Sequence, residues 1–268
     1  AEYEAEADQE ILDALERHYM YIVDSGERIG VFREGQKFPW RNIMTIEGML
    51  WIYARTGNKA LLDYAVREWD AGEATELNME EIMSDRSPHM HGVTYTEEMK
   101  LPMLLYAYTG EQKYLDAALR ANEKLVKDHL LPDGVPSSNE YLDGNDPRTS
   151  HETCDITDYT WTLGYYLMTT GEGSYADAIE KAVFNAGPGA ATKDFKALQY
   201  FSSVNQFIAT GSSDHNEFKK GSTWMAYRPT HETECCAGNI HRFMPDYVAR
   251  MWLEGESEDE LVAAMYGP

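Results

Sequence analysis

The chain has 268 residues, 43% of them hydrophobic, with 23 basic and 46 acidic side chains and a net charge of −23. That length suffices for one large domain or two small ones with a sizeable core. A surface this acidic disfavours nucleic acid and anionic membranes, whose phosphates attract Lys and Arg, and suits a neutral or cationic ligand.

The first ten residues, Ala1 to Glu10, are polar and acidic and show no signal peptide. The chain starts on Ala rather than Met, so removal of a leader stays open. No stretch approaches the roughly 20 apolar residues of a transmembrane helix. An odd count of three cysteines argues against a disulfide scaffold. A reducing, cytoplasmic setting is the expectation, with a secreted or periplasmic one as the alternative.

Ala5 to Val23 reads as the first helix. An internal repeat follows. Thr56-Gly57, Thr109-Gly110 and Thr170-Gly171 recur at spacings of 53 and 61 residues. Each pair is followed at fixed offsets by an apolar or aromatic residue, an aspartate and a second apolar residue: Leu61, Asp63, Ala65; Tyr114, Asp116, Ala118; Tyr175, Asp177, Ile179. An apolar segment precedes each pair, at Ile46 to Ala54, Leu101 to Tyr108 and Trp161 to Thr169. An amphipathic segment follows, with Leu61, Leu62, Ala65, Val66 and Trp69 on one face in the first copy. The corresponding face in the second copy reads Leu115, Ala118, Leu119, Asn122 and Leu125. These are helix hairpins, each with glycine ending the apolar inner helix before a half-wet outer one.

Between the later helices, His129 to Ser150 is rich in Pro, Gly, Asp and Ser and reads as a long loop. Gly187 to Thr230 is mixed, with strand-like pieces at Ala197 to Ser202 and Gln206 to Thr210. Gly238 to Leu253 reads as a last helix. The expected fold is all-α, an α/α toroid of the six-hairpin barrel type. It is incomplete here, because roughly eight helices fit the chain and such a toroid needs about twelve.

All three cysteines lie in two signals that follow the irregular stretches: His151-Glu152-Thr153-Cys154 and Glu234-Cys235-Cys236. Three thiols and one carboxylate make a full tetrahedral set for Zn²⁺. Glu152 and Cys154 are two residues apart, and on an extended approach to a helix both can turn to one point. A single buried cysteine is otherwise a small hydrophobe. Adjacent thiols at a helix start read as core residues, a vicinal disulfide, or thiolates favoured by the helix dipole. Structural zinc sites use closely spaced C-x₂₋₄-C ligands, which this chain lacks, and that departure favours a catalytic centre. Glu140, in the long loop, is the candidate general acid. Beside an anionic metal centre its pKa is expected to rise. His89, His91, His151, His231 and His241 cluster near these signals, and each taken singly reads as structural.

The loop Ser138-Asn139-Glu140, then Glu152-Thr153-Cys154, Ala182-Val183-Phe184-Asn185-Ala186, and Glu234-Cys235-Cys236 with Asn239 and Arg242, resembles the glycoside hydrolase family 127 β-L-arabinofuranosidases and the related family 146. The resemblance runs from about Leu12 to the end. It implies a retaining glycosidase with Cys235 as nucleophile and Glu140 as acid/base. Zn²⁺ would be held by Glu152, Cys154, Cys235 and Cys236, and His91 would contact the sugar. The implied substrate is a carbohydrate, a β-L-arabinofuranoside or related plant cell-wall sugar, with no nucleic acid or membrane partner; a homodimer stays open. Complete members of the family are about twice this length and carry β-sandwich domains after the helices. Residues 1–262 are therefore expected to be a partial toroid, and 263–268 the start of an otherwise absent β-sandwich. Many members have a Gly-His pair where this chain reads Arg41-Asn42-Ile43-Met44-Thr45, which bears on the exact sugar. The alternatives are a relative acting on another pentose-like sugar, a zinc-stabilised scaffold or sugar-binding protein without catalysis, and a redox-active Cys235-Cys236 pair.

Overall fold

A computed structural model describes residues 2–29, 39–73, 75–206, 208–213, 223–231, 235–255, 257 and 259–267, without the side chains of 2 and 39–41. Glu234 of the second cysteine signal, the Arg41 side chain, Pro268 and 214–222 of the expected mixed stretch lie outside the described residues.

The three Thr-Gly pairs make one and the same turn. Gly57, Gly110 and Gly171 all have φ near 70°, the left-handed conformation that closes a helix without a Cβ clash. Each donates its N–H to the carbonyl four residues back: Tyr53, Tyr106 and Leu167. The preceding threonine adds two bonds of its own. Thr56, Thr109 and Thr170 donate their hydroxyls to Ile52, Leu105 and Tyr166 carbonyls and accept from the N–H of Asn58, Glu111 and Glu172. One side chain thus satisfies an orphan carbonyl of the first helix and an N–H leading into the second.

The chain divides into two compact units, Ala1–Asp85 with Leu101–Ala118, and Arg86–Lys100 with Leu119–Pro268. In the first, the opening helix is broken where the sequence suggests one continuous segment. Helices Glu2–Glu6 and Gln9–Asp24 are separated by Ala7 at φ 53° and by Asp8, which caps the second by accepting from Glu10 N–H. Helices Thr45–Thr56 and Lys59–Ala71 then form the first hairpin, and Leu61, Leu62, Ala65 and Trp69 are buried as the periodicity implies. In the helix Gln112–His129 the buried stripe is rotated from the predicted one. Tyr114, Ala117, Ala118, Ala121 and Leu125 are buried, whereas Leu119 is exposed. Alanines form much of that stripe, so side-chain size misplaced it.

The second unit is built on helix Thr153–Thr170, buried along most of its length and packed against helices Gly92–Glu98 and Gly173–Phe184. Its N-terminus continues from the two-residue strand β1, His151–Glu152. β1 pairs antiparallel with β2, Phe201–Ser202, in the register His151↔Ser202 and Glu152↔Phe201. The expected strand at Ala197 to Ser202 is thus reduced to its last two residues. No strand forms among the described residues of 206–210. The loop from 130 to 150 holds only isolated bridges, as its composition suggests. The last predicted helix is shorter than Gly238 to Leu253. Helix Cys235–Asn239, a 3₁₀ turn Ile240–Arg242 and helix Phe243–Ala249 end before β3, Trp252–Glu254, which pairs with β4, Leu261–Ala263. The apolar run Met251 to Leu253 carries no periodicity that distinguishes helix from strand, and the pairing with β4 decides it.

Candidate active site

Glu152 ends β1 in an extended conformation, ψ 142°, and is the residue before the helix that begins at Thr153. Its side chain and that of Cys154, in the first helical turn, are thereby aimed at one point. Helix Cys235–Asn239 brings Cys235 and Cys236 to the same point. One ligand atom each from Glu152, Cys154, Cys235 and Cys236 lie within 4.8 Å of one another. Cys154 Sγ is 3.4 Å from Cys236 Sγ, Cys235 Sγ is 4.0 Å from Cys236 Sγ, and Glu152 Oε1 is 3.3 and 3.5 Å from Cys235 and Cys236 Sγ. All three thiols are free. Cys154 and Cys236 are buried in an apolar cluster with Tyr200, Phe201 and Trp224, whereas Cys235 reaches the surface.

Electrostatics test whether a metal fits. Glu152 is 1% exposed, and burial, followed by the charges of Asp155, Cys235 and Glu140, pushes its carboxyl well above the usual range. Burial first, then the neighbouring thiols, raises Cys236. Hydrogen bonding with Cys235 raises Cys154. Cys235 moves the other way, because hydrogen bonds with Cys154 and then Cys236 favour its thiolate. Four adjacent acidic groups therefore hold one favoured anion among themselves, and ionising the rest requires a cation. Glu152 Oε2 is buried without a hydrogen-bond partner. The sulfur–sulfur separations of 3.4 and 4.0 Å bracket the ~3.8 Å edge of a tetrahedron with ~2.3 Å metal–sulfur bonds. Asn239 Nδ2 donates to Cys154 Sγ at 3.2 Å, as it would to a thiolate. The donor set fits a thiophilic divalent cation. The helix-dipole argument does not survive, since the helix behind Cys235 has only five residues. Local hydrogen bonds hold that thiol low.

Glu140 lies on the exposed side of the cluster. It is one of three described non-glycine residues with positive φ, at 74°. Such a conformation costs roughly 1–3 kcal/mol and persists only when surroundings impose it. Here Glu140 O accepts from Gly92 N–H at 2.8 Å, and Leu142 N–H donates to Met90 O at 3.0 Å. The carboxylate accepts from Tyr200 Oη at 3.0 Å, and that same hydroxyl oxygen is 3.3 Å from Cys235 Sγ. His91 completes the arrangement. Its Nδ1 caps helix Gly92–Glu98 by accepting from Thr94 N–H at 3.2 Å. In the neutral ring the proton therefore resides on Nε2, which faces Glu140 Oε2 at 3.3 Å and Glu152 Oε2 at 3.9 Å.

The other histidines near the two signals lie in other surroundings. His89 packs near Tyr141, His151 bonds Asp133 at 2.7 Å, and His231 Nε2 bonds Leu198 O at 2.8 Å. His241 is exposed in the 3₁₀ turn. Arg242 pairs with buried Asp158 on the helix behind Cys154.

Residues 1–249 match the model of the β-L-arabinofuranosidase GH127 catalytic domain. The chain belongs to the GH127 family. Solved structures carry the same α/α-toroid class of fold. One is a GH127 β-L-arabinofuranosidase from Geobacillus stearothermophilus T6, with TM-score 0.71 and 18% identity over 98% of this chain. Another, described as a glycoside hydrolase, gives 0.73 and 15% over 99%. A GH127 β-arabinofuranosidase gives 0.69 and 18% over 93%. This GH127 chain spans 45%, 46% and 39% of those three chains, respectively. No curated protein matches it.

Sequence reasoning did not single out Tyr200. One tyrosine among 18 carries no signal of its own. Its position two residues before the end of a strand-like piece was the available clue.

Proposed function

We propose that the GH127 chain carries the catalytic centre of a retaining glycoside hydrolase for β-L-arabinofuranosides or related plant cell-wall sugars. The observation that carries this reading is the meeting of four thiol and carboxylate donors whose one surface-reaching sulfur shares the Tyr200 hydroxyl with Glu140. Glu152, Cys154, Cys235 and Cys236 would hold Zn²⁺. When bound, zinc supplies the charge compensation that keeps the cysteines ionised and makes Cys235 a competent leaving group.

Cys235 Sγ attacks the anomeric carbon as the glycosidic bond breaks, and Glu140 protonates the departing oxygen. The sugar is then joined to Cys235 through a carbon–sulfur bond. Glu140, now a carboxylate, takes a proton from water, whose oxygen displaces the sulfur and returns its electron pair to Cys235. Two displacements retain the anomeric configuration. Tyr200 holds the acid and the nucleophile at a fixed separation. His91, with its proton on Nε2, orients the Glu140 carboxylate and stands where a sugar hydroxyl would contact it.

The test is metal analysis and turnover of a β-L-arabinofuranoside by the wild type and by Cys235→Ser, Cys154→Ser and Cys236→Ser. About one zinc per chain, and a Cys235→Ser variant that melts near the wild type but has no turnover, is the expected result. No turnover by the metal-loaded wild type, with all three substitutions equally destabilising, would assign the zinc a structural role and sink the proposal.

A further inference from the structure

Behind β1, on the side away from the thiols, lies a separate cavity of about 590 Å³. It falls within the roughly 300–1,000 Å³ of small-ligand sites. His151 and Glu152 are consecutive residues of one strand, so their side chains leave opposite faces. Glu152 joins the thiol cluster and His151 lines the cavity.

The polar lining is unusual in what it leaves unsatisfied. His151 is 1% exposed, and its Nε2 is committed to Asp133, but its Nδ1 is buried with no hydrogen-bond partner. Ser202, paired with His151 across β1 and β2, is 8% exposed, and its hydroxyl is also buried without a partner. Asp133 Oδ1 on the same wall is a third such atom; buried polar atoms without partners are uncommon in folded proteins, and three on one cavity wall call for a complement. Gln199, Gln206 and Asn185 add amide groups, and the rings of Phe184 and Tyr227 supply apolar surface. Among the described residues no Lys or Arg lines the cavity, so an anion finds no counter-charge from them. Its one carboxylate among the described residues, Asp133, spends Oδ2 on His151, so a cation meets a carboxylate already bridged, while its buried, unpartnered Oδ1 can accept from a hydroxyl. The complement is a neutral molecule bearing several hydroxyls, which both donate and accept, with an apolar face to lie on a ring.

We infer that this cavity is a second binding site, distinct from the thiol centre, for a neutral carbohydrate of mono- to disaccharide size. His151 and Ser202 hydrogen-bond its hydroxyls, and Phe184 or Tyr227 carries its ring face. The inference rests on the lining and not on the reading of the thiol cluster.

Calorimetric titration of the full chain with xylobiose tests it, with digalacturonate as the anionic control. Ala209→Trp obstructs the cavity from an exposed position on its lining. Asp133→Asn keeps the shape and removes the charge that orients His151. The expected result is saturable xylobiose binding that is weakened at least tenfold by each substitution and survives Glu140→Gln, with digalacturonate much weaker. Unchanged melting of Ala209→Trp shows that the loss is local; should Asp133→Asn unfold, Ala209→Trp decides alone. Binding lost in Glu140→Gln but intact in Ala209→Trp would place the sugar at the thiol centre and overturn the inference. So would no xylobiose binding, or equal affinity for digalacturonate. Turnover and zinc content are measured separately, so failure here leaves the glycosidase reading standing.

Discussion

Gly92 begins the helix that His91 caps, and it is the point where that helix presses on the loop carrying Glu140. A Cβ at Gly92 would lie 2.5 Å from Ser138 Oγ, 2.6 Å from Ser138 Cβ and 3.4 Å from Asp155 Oδ2. Ser138 cannot retreat easily. It is fully buried, and its N–H donates to Ser150 O at 2.8 Å. Overpacking of this kind costs about 1–3 kcal/mol. Against it stands about 1 kcal/mol gained by replacing glycine with alanine in a helix. The short approach to a backbone-anchored Cβ favours the upper part of the steric range, so Gly92→Ala should lose about 1–2 kcal/mol. For a chain of this size that is a fall of about 2–8 °C in Tm. A double-mutant cycle by thermal melts isolates the contact. Ser138→Ala removes the hydroxyl but leaves the clashing Cβ, so it should not rescue. Ser138→Gly removes both atoms, and the cycle should show a coupling of about 1–3 kcal/mol. Gly92→Ala melting like the wild type, or rescue by Ser138→Ala as complete as by Ser138→Gly, would refute the packing argument. Where the fold survives, displacement of His91 and Glu140 should lower turnover beyond the stability loss.

Tyr200→Phe keeps the ring that packs 4.3 Å from Trp224 and 4.8 Å from Phe201, and removes only the hydroxyl shared by Glu140 and Cys235. A hydrogen bond to a charged group contributes roughly 1.5–3 kcal/mol, so steady-state kinetics should show kcat/KM lower by about 10–150-fold with little change in melting. Chelation should release the metal and expose the buried thiols Cys154 and Cys236 together, which thiol titration with and without chelator checks; release that leaves both thiols protected would contradict a shared centre. Burial pushes the Asp133 carboxyl up, but its hydrogen bond to His151, that residue's charge and the Val135 N–H together hold it below the ordinary 3.8. A depressed folded pKa contributes stability that is present above the unfolded pKa and lost as pH falls through the folded one. The melting difference between the wild type and Asp133→Asn should therefore shrink as the pH is lowered through 4 and below, and a pH series of melts that keeps the difference constant would count against it.

The parts of this molecule that sequence alone revealed are those fixed by local rules. Thr-Gly repeats at constant offsets foretold the three left-handed turns, because the threonine hydroxyl and the glycine φ complete their bonds within six residues. Glu152 and Cys154 were legible as a pair because strand-to-helix geometry is set by their two-residue spacing. That they would meet Cys235 and Cys236 followed from donor chemistry and from the family resemblance rather than from any local rule. Tyr200 and the strained backbone of Glu140 were not legible, since both are imposed by partners distant in the chain: Cys235, Gly92 and Met90. The rotated stripe on Gln112–His129 shows the same limit on a smaller scale, where burial followed small alanines rather than large leucines.

The shortness of β1 bears on which metal chemistry this chain can host. Two ladder residues, clamped by Thr153 N–H to Tyr200 O and Thr153 Oγ1 to Gln199 O, set which side chain turns toward the sulfurs. A slip of one residue would exchange the faces of His151 and Glu152. The thiols would then receive an imidazole, and the set would become Cys₃His, a combination found in closed structural zinc sites. The coordination sphere would lose one negative charge, and with it part of the electron density that keeps a bound sulfur nucleophilic. Whether these four donors would make a reactive centre or an inert one thus depends on the register of a strand two residues long.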